Sequence, residues 1–210
     1  MRNVLVVMGL LALTSCTTEK PAEVKKKEPT PEVFQAKMET SKGDIIMEIH
    51  RDWAPRGADR FYELIQEKFY NETKFHRVLK GFVAQFGVNK DPKIQALWRQ
   101  LKIIDDPVKQ KNVRGTVTFA ARGPSTRTTQ LFINLKDNSK DDMDLDKLGF
   151  APIGKVIEGM DVADKLSFLY GDHPPSGSGP DPKRMELEAN GYMDRAFPRM
   201  DFIKTITIVK

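Results

Sequence analysis

From Phe34 to Glu39, and again from Asp44 to His50, apolar and polar positions alternate. In the second run Ile45, Met47 and Ile49 share one side, and Ile46, Glu48 and His50 share the other. That is the pattern of a strand with one buried face. Thr40-Ser41-Lys42-Gly43 joins the two runs. From Ala54-Pro55 the period changes: Ala58, Phe61, Ile65 and Phe69 form a helical stripe. Phe75 to Leu79 and Phe82 to Gly87 predict short strands around Gly81. Asp91-Pro92 predicts an N-cap and first helical residue, with Ile94, Leu97, Trp98 and Leu101 following at helical spacing. Gly115 to Ala121, Gln130 to Leu135 and Ile153 to Ile157 predict strands. Met160 to Tyr170 predicts a helix, Gly171 to Asp181 a loop, Pro182 to Ala196 a helix containing Gly191, and Phe202 to Val209 a last strand. Many short strands with few helices point to a mainly β domain, a closed or nearly closed antiparallel barrel with helices at its ends. Periodicity alone does not separate barrel from sandwich.

The first residues follow another rule. Val4 to Leu13 is an unbroken apolar run behind Arg2. It is too short to span a bilayer, which takes about 20 residues, and fits the apolar region of a secretory signal. Leu13-Thr14-Ser15-Cys16 resembles a bacterial lipobox, in which the chain is cut before the cysteine and the cysteine is acylated. Several acyl chains would anchor the protein, whereas one binds marginally. A plain secretory signal with an incidental cysteine is the alternative. Thr17 stands where an inner-membrane retention aspartate would, so an outer-membrane or surface destination is favoured. The expected organisation is a signal peptide over 1–15, a lipidated Cys16 with a tether to 33, and one domain over 34–210. In the tether Lys20, Lys25, Lys26 and Lys27 balance Glu19, Glu23, Glu28 and Glu32, and Pro21, Pro29 and Pro31 discourage helix.

Composition narrows the chemistry. The chain has 210 residues, 1 Cys and 3 His, so neither an internal disulfide nor a Cys/His metal cluster is expected. Lys+Arg 34 against Asp+Glu 29 gives a net charge of +5, with no basic stripe interleaved with aromatics, so nucleic acid is not an expected partner. A domain of this size buries roughly 70% of its unfolded surface without staples.

Three ordered segments carry a resemblance. Phe75-His76-Arg77-Val78-Leu79-Lys80-Gly81-Phe82-Val83-Ala84-Gln85 is the first. Gly115-Thr116-Val117-Thr118-Phe119-Ala120, leading to Gly123-Pro124 and Thr129-Gln130-Leu131-Phe132-Ile133, is the second. Gly154-Lys155-Val156 with Glu158-Gly159-Met160-Asp161 is the third. Together they resemble the cyclophilins, barrel-type peptidyl-prolyl cis-trans isomerases, over about residues 34–210, and in particular a secreted bacterial branch.

The resemblance implies an eight-stranded antiparallel barrel capped by helices, with helical insertions, and a groove on its outer face. The 12 Phe are expected to supply bulk for the interior. It implies rotation about X-Pro bonds without a cofactor or metal, proline-containing polypeptides as substrates, and a monomer. By position, Arg77 is the expected catalytic cation, with Gln85 orienting it or the substrate carbonyl. Phe82, Val83 and Phe132 would form the cup for the proline ring. Ala120 and Ala121 would offer backbone polar groups, Gln130 would line the neighbouring pocket, and Leu145 and Phe150 would close the rim. Val83 and Ala121 stand where many relatives carry methionine and asparagine, and Asp144 where a tryptophan would precede Leu145. The inserts at Asp91 to Leu101 and Gly171 to Arg199 have no assigned role. The competing functions are a peptide-binding module that needs no turnover, and a surface lipoprotein whose insert contacts a partner.

Overall fold

The computed structural model describes residues 29–140 and 144–209. The expected leader, Cys16 and the tether through Glu28 lie outside these described residues.

The alternating runs form β1 (Val33–Thr40) and β2 (Gly43–His50), paired antiparallel from Val33↔His50 to Thr40↔Gly43. Ala36, Met38, Ile45, Met47 and Ile49 are fully buried, as the period of two requires. Next come α1 (Pro55–Gln66), β3 (Arg77–Val78), β4 (Val83–Phe86), α2 (Pro92–Gln100), β5 (Thr116–Phe119) and β6 (Leu131–Asn134). The chain ends with β7 (Pro152–Glu158), α3 (Met160–Asp164), α4 (Pro182–Ala196) and β8 (Ile203–Ile208). The strands form one antiparallel sheet in the order β3-β4-β6-β5-β7-β2-β1-β8.

The expected closed barrel is corrected to a half-barrel. The edge strands β3 and β8 share no ladder; β3 has only two residues. The seam is spanned by an isolated bridge, Lys74↔Phe202, flanked by Phe75 N–H to the Asp201 carbonyl (2.9 Å) and Ile203 N–H to the Thr73 carbonyl (2.8 Å). The core lies between the concave face of the sheet and α1. Phe34, Phe61, Phe69, Phe75, Phe86 and Phe119 fill it, but Phe132 is in a separate cluster and Phe168 is exposed, so the phenylalanines are not all interior bulk.

Helix α1 begins at Pro55, and its N-cap, Ala54, has no capping side chain. The open N–H groups of a first turn need partners. Asp106, buried, supplies them: its carboxylate accepts from Arg56 N (3.1 Å) and Gly57 N (2.9 Å) and pairs with Arg127 (3.1 Å). This fastens the segment after α2 to the β5–β6 connection, where Ile103 bridges Arg127.

Three helices depart from expectation. In α2 the cap is as predicted, with Asp91 accepting from Lys93 N at 2.7 Å. Of the expected stripe, Trp98 packs against the main core but Ile94, Leu97 and Leu101 face solvent; Gln95 points inward, accepting from Asn89 N at 2.8 Å. The helix from Met160 stops at Asp164 instead of reaching Tyr170. Helix α4 is interrupted at Ala189 rather than Gly191, and its Met185, Tyr192 and Met193 pack with Val88 and Met200 in a second cluster.

Candidate functional site

The site lies on the β3-β4-β6-β5 half of the sheet, on the face turned away from the main core. Register places Arg77 opposite Gln85, Gln85 opposite Phe132, and Phe132 opposite Thr118. Strand alternation separates their surroundings. Ala84, Phe86, Leu131, Ile133, Val117 and Phe119 enter the main core, while Val83, Gln85 and Phe132 turn the other way.

Val83, Phe132 and Leu145 form a small buried cluster, with Phe82, Ala120 and Phe150 packed against it. These residues line a cavity of about 240 Å³ together with Leu148, and Arg77 and Gln85 stand at its edge. Phe132 and Phe150 meet edge to face at 5.9 Å. A buried asparagine network holds the cup's rim. Asn112 Nδ2 donates to Asp146 (2.8 Å) and to the Phe150 carbonyl (2.7 Å), and its Oδ1 accepts from Thr118 (2.8 Å) and Asn134 (3.1 Å). Asn138 donates to Asn134 (2.7 Å) and to the Phe82 carbonyl (3.0 Å), and its own backbone carbonyl accepts from Leu145 N (2.9 Å).

Arg77 is held from three sides. Its Nε and Nη2 donate to the two oxygens of Asp172 at 2.6 and 3.2 Å. Its Nη1 lies 3.4 Å from Gln85 Oε1, and Gln85 Nε2 donates to Gln130 Oε1 at 2.9 Å. The guanidinium sits 5.7 Å from the Phe82 ring centroid. The Asp172 carboxyl is held below its ordinary range, first by the hydrogen bond from Arg77. His76, beside Arg77 in the chain, is buried and stacked on His173 at 5.8 Å. Burial pushes the His76 imidazole down to about 3, with His173 adding to the effect. Burial also lowers His173, whose Nδ1 is 2.7 Å from the Pro180 carbonyl.

On the far side of Arg77 a second, polar cavity of about 470 Å³ shares Arg77, Gln85, Ala120 and Ala121 with the cup and extends to Gln130, Asp172 and His173. Gly87, just after β4, lets the segment that leads into β6 approach closely. Its φ is +105°, and a Cβ there would lie 2.5 Å from the Thr129 carbonyl.

The structure therefore brings together Arg77, Gln85, Phe82, Val83, Ala120, Ala121, Phe132, Leu145 and Phe150 around one cavity, and Gln130 beside its neighbour. The Ala120 N–H donates to the Gln130 carbonyl at 2.9 Å, so of its backbone groups the carbonyl is the one to offer a peptide.

The family model described as cyclophilin type peptidyl-prolyl cis-trans isomerase matches residues 35–180. The chain belongs to the cyclophilin family. Among curated relatives, a peptidyl-prolyl cis-trans isomerase of Acinetobacter baylyi is 35% identical over 150 residues, covering 65% of this chain and 75% of that protein. Isomerase B of Escherichia coli is 35% identical over 137 residues, covering 60% and 80%. The crystal structure of a cyclophilin type isomerase from Cryptosporidium parvum has the same fold, with a TM-score of 0.57 and 22% identity over 85% of this chain and 98% of that one. This cyclophilin is a peptidyl-prolyl cis-trans isomerase, and its substrates are proline-containing polypeptides.

Sequence reasoning missed Leu148 and Asp172. Leu148 lies between Leu145 and Phe150 in a stretch with no regular period, and could have been included with the rim. Asp172 reaches Arg77 from 95 positions away, in a loop whose glycines and prolines carry no pairing signal.

Proposed function

We propose that this cyclophilin isomerises X-Pro bonds by seating the proline ring in the Phe82-Val83-Phe132 cup and donating a hydrogen bond from Arg77 to the proline nitrogen. An amide resists rotation by about 18–20 kcal/mol because its nitrogen lone pair is delocalised. Rotation breaks no bond. It needs the lone pair localised on a pyramidal nitrogen, and a fixed cation beside that nitrogen favours this state. Arginine suits that role, being always charged and presenting a rigid donor fork. The observation that carries the reading is the placement of Arg77 at the mouth of an apolar cup, with a side chain only 18% exposed and braced by Gln85 and Asp172. A preorganised donor in such a site supplies about 10²–10³-fold in rate.

The test is cis/trans exchange of an unlabelled Ala-Pro peptide, followed by NMR with the full chain and with Arg77→Ala. The variant is expected to lose about 10²–10³-fold of the acceleration while still binding the peptide. Full acceleration in a folded Arg77→Ala protein would remove Arg77 from the mechanism.

The cellular role completes the proposal. The apolar run ending in Leu13-Thr14-Ser15-Cys16 supports export and acylation of Cys16, and hence a lipid-anchored isomerase, a monomer as the resemblance implies, acting on exported polypeptides in a bacterial envelope, at the outer membrane or surface. Cys16→Ser is expected to shift the protein from the membrane to the soluble fraction; unchanged partitioning would count against the anchor.

A further inference from the structure

The two inserts without an assigned role meet at the polar cavity. Helix α2 and the insert that contains α4 adjoin along one side of it, joined by Arg99 to Glu186 at 3.1 Å. Another wall is the β5–β6 connection, which carries Arg122. Lys102 stands just after α2, and the neighbouring bridge between Ile103 and Arg127 brings that segment against the same connection.

The charges lining this cavity do not cancel. Its carboxylates are Asp172 and Glu186, each already engaged by an arginine: Asp172 by Arg77 and Glu186 by Arg99. Lys102 and Arg122 are solvent-exposed and have no ion pair among the described residues. An exposed lysine on an ordinary surface is simply solvated. Here two cations border a concave space that shares Arg77, Gln85, Ala120 and Ala121 with the proline cup. An extended peptide advances about 3.3 Å per residue, so a proline in the cup would carry a residue a few positions away to the polar cavity.

We infer that the polar cavity takes an acidic side chain of the same polypeptide whose proline enters the cup. Lys102 and Arg122 are then specificity-determining residues, and the favoured substrates carry Asp or Glu within about three residues of the proline. A carboxylate entering the cavity gains two cationic neighbours without displacing either existing pair. A lysine there would meet only surplus positive charge. The inference rests on the proposed groove: the cup must hold the proline for its neighbour to reach the cavity.

A peptide scan tests it. One Ala-Pro scaffold carries Glu, Gln or Lys in turn at each of the three positions before and the three after the proline. Affinity by NMR titration and exchange rate are both read with the full chain. At one position Glu is expected to exceed Gln by about three- to tenfold in affinity, from two partly exposed pairs, with the advantage shrinking as salt rises. In the double variant Lys102→Glu with Arg122→Glu the preference at that position is expected to reverse towards Lys, a gain that a misfolded protein could not show. The milder pair Lys102→Gln with Arg122→Gln should level the three peptides. Equal binding of Glu and Gln at every position would overturn the inference, as would a Glu preference that survives charge reversal. A Glu preference in affinity without accelerated exchange would sustain this inference while sinking the proposed Arg77 mechanism.

Discussion

The two sides of Arg77 are built on different principles. On one side the cup is apolar, with Val83 and Phe132 supplied by strands and Leu145 and Phe150 by a loop that a buried asparagine network holds in place. On the other the cavity is polar and open, and its walls come from inserted segments held by ion pairs. The cup's shape follows from sheet register: a one-residue slip would turn Gln85 and Phe132 into the core. The polar wall depends on segments that strand pairing does not constrain. One half of the groove can thus stay constant while the other changes its chemistry.

Acid should expose this difference most strongly. His76 stands behind the polar side, neutral at ordinary pH, facing His173, Arg77 and Gln130. An unfolded histidine takes up its proton near pH 6.5, whereas His76 in the fold does so only at about 3. Between these values the unfolded chain binds more protons, so stability must fall as the pH drops through that window, by roughly 3–5 kcal/mol in all. His173, also lowered by burial, acts in the same direction. Denaturation curves between about pH 7 and pH 4 should show this loss, and His76→Gln should flatten the slope by about one proton. An unchanged slope would place the titration elsewhere.

The cup side should answer to apolar area instead. Phe132→Ala is expected to lower kcat/KM about 30-fold, equivalent to roughly 2 kcal/mol of lost apolar contact. The drop should be the same for acidic, neutral and basic peptides. A drop confined to one charge class would merge the two sides into one.

The smallest effect should come from the hinge between them. Asp172→Asn leaves a hydrogen bond but removes the charged, two-pronged grip on Arg77. About a fivefold fall in kcat with little change in KM is expected, partly rescued by Asp172→Glu. A change in KM alone would mean that Asp172 contacts substrate and does not orient the arginine.

Legibility in the sequence followed the same division. Period-two alternation located β1 and β2, because each has one face in the core; β5 and β6, buried at every position, show as short apolar-rich runs without that alternation. Arg77, Gln85 and Phe132 were singled out by the resemblance of their segments to the cyclophilins, and the sheet register sets them side by side. Helix α2 was found by its cap, yet its buried side was misread: Gln95 caps the Asn89 backbone and takes the inward position from Ile94 and Leu97. The half-barrel was not foreseen, since alternation shows which face a strand buries but not whether two edges meet. Asp172 lay beyond any local rule.

The order of pairing within the sheet has a consequence for how the chain is made. β1 meets β2 across a two-residue turn, but its other neighbour, β8, comes at the far end of the domain; Ser41 finds Asp201 across 160 positions. Until β8 emerges, β1 presents an unpaired edge able to recruit any passing strand. Contacts this distant close late and slowly. A chain delivered N-terminus first therefore stays vulnerable to aggregation until Ile203–Ile208 is free to pair, and a truncation that loses this strand would prolong that state indefinitely.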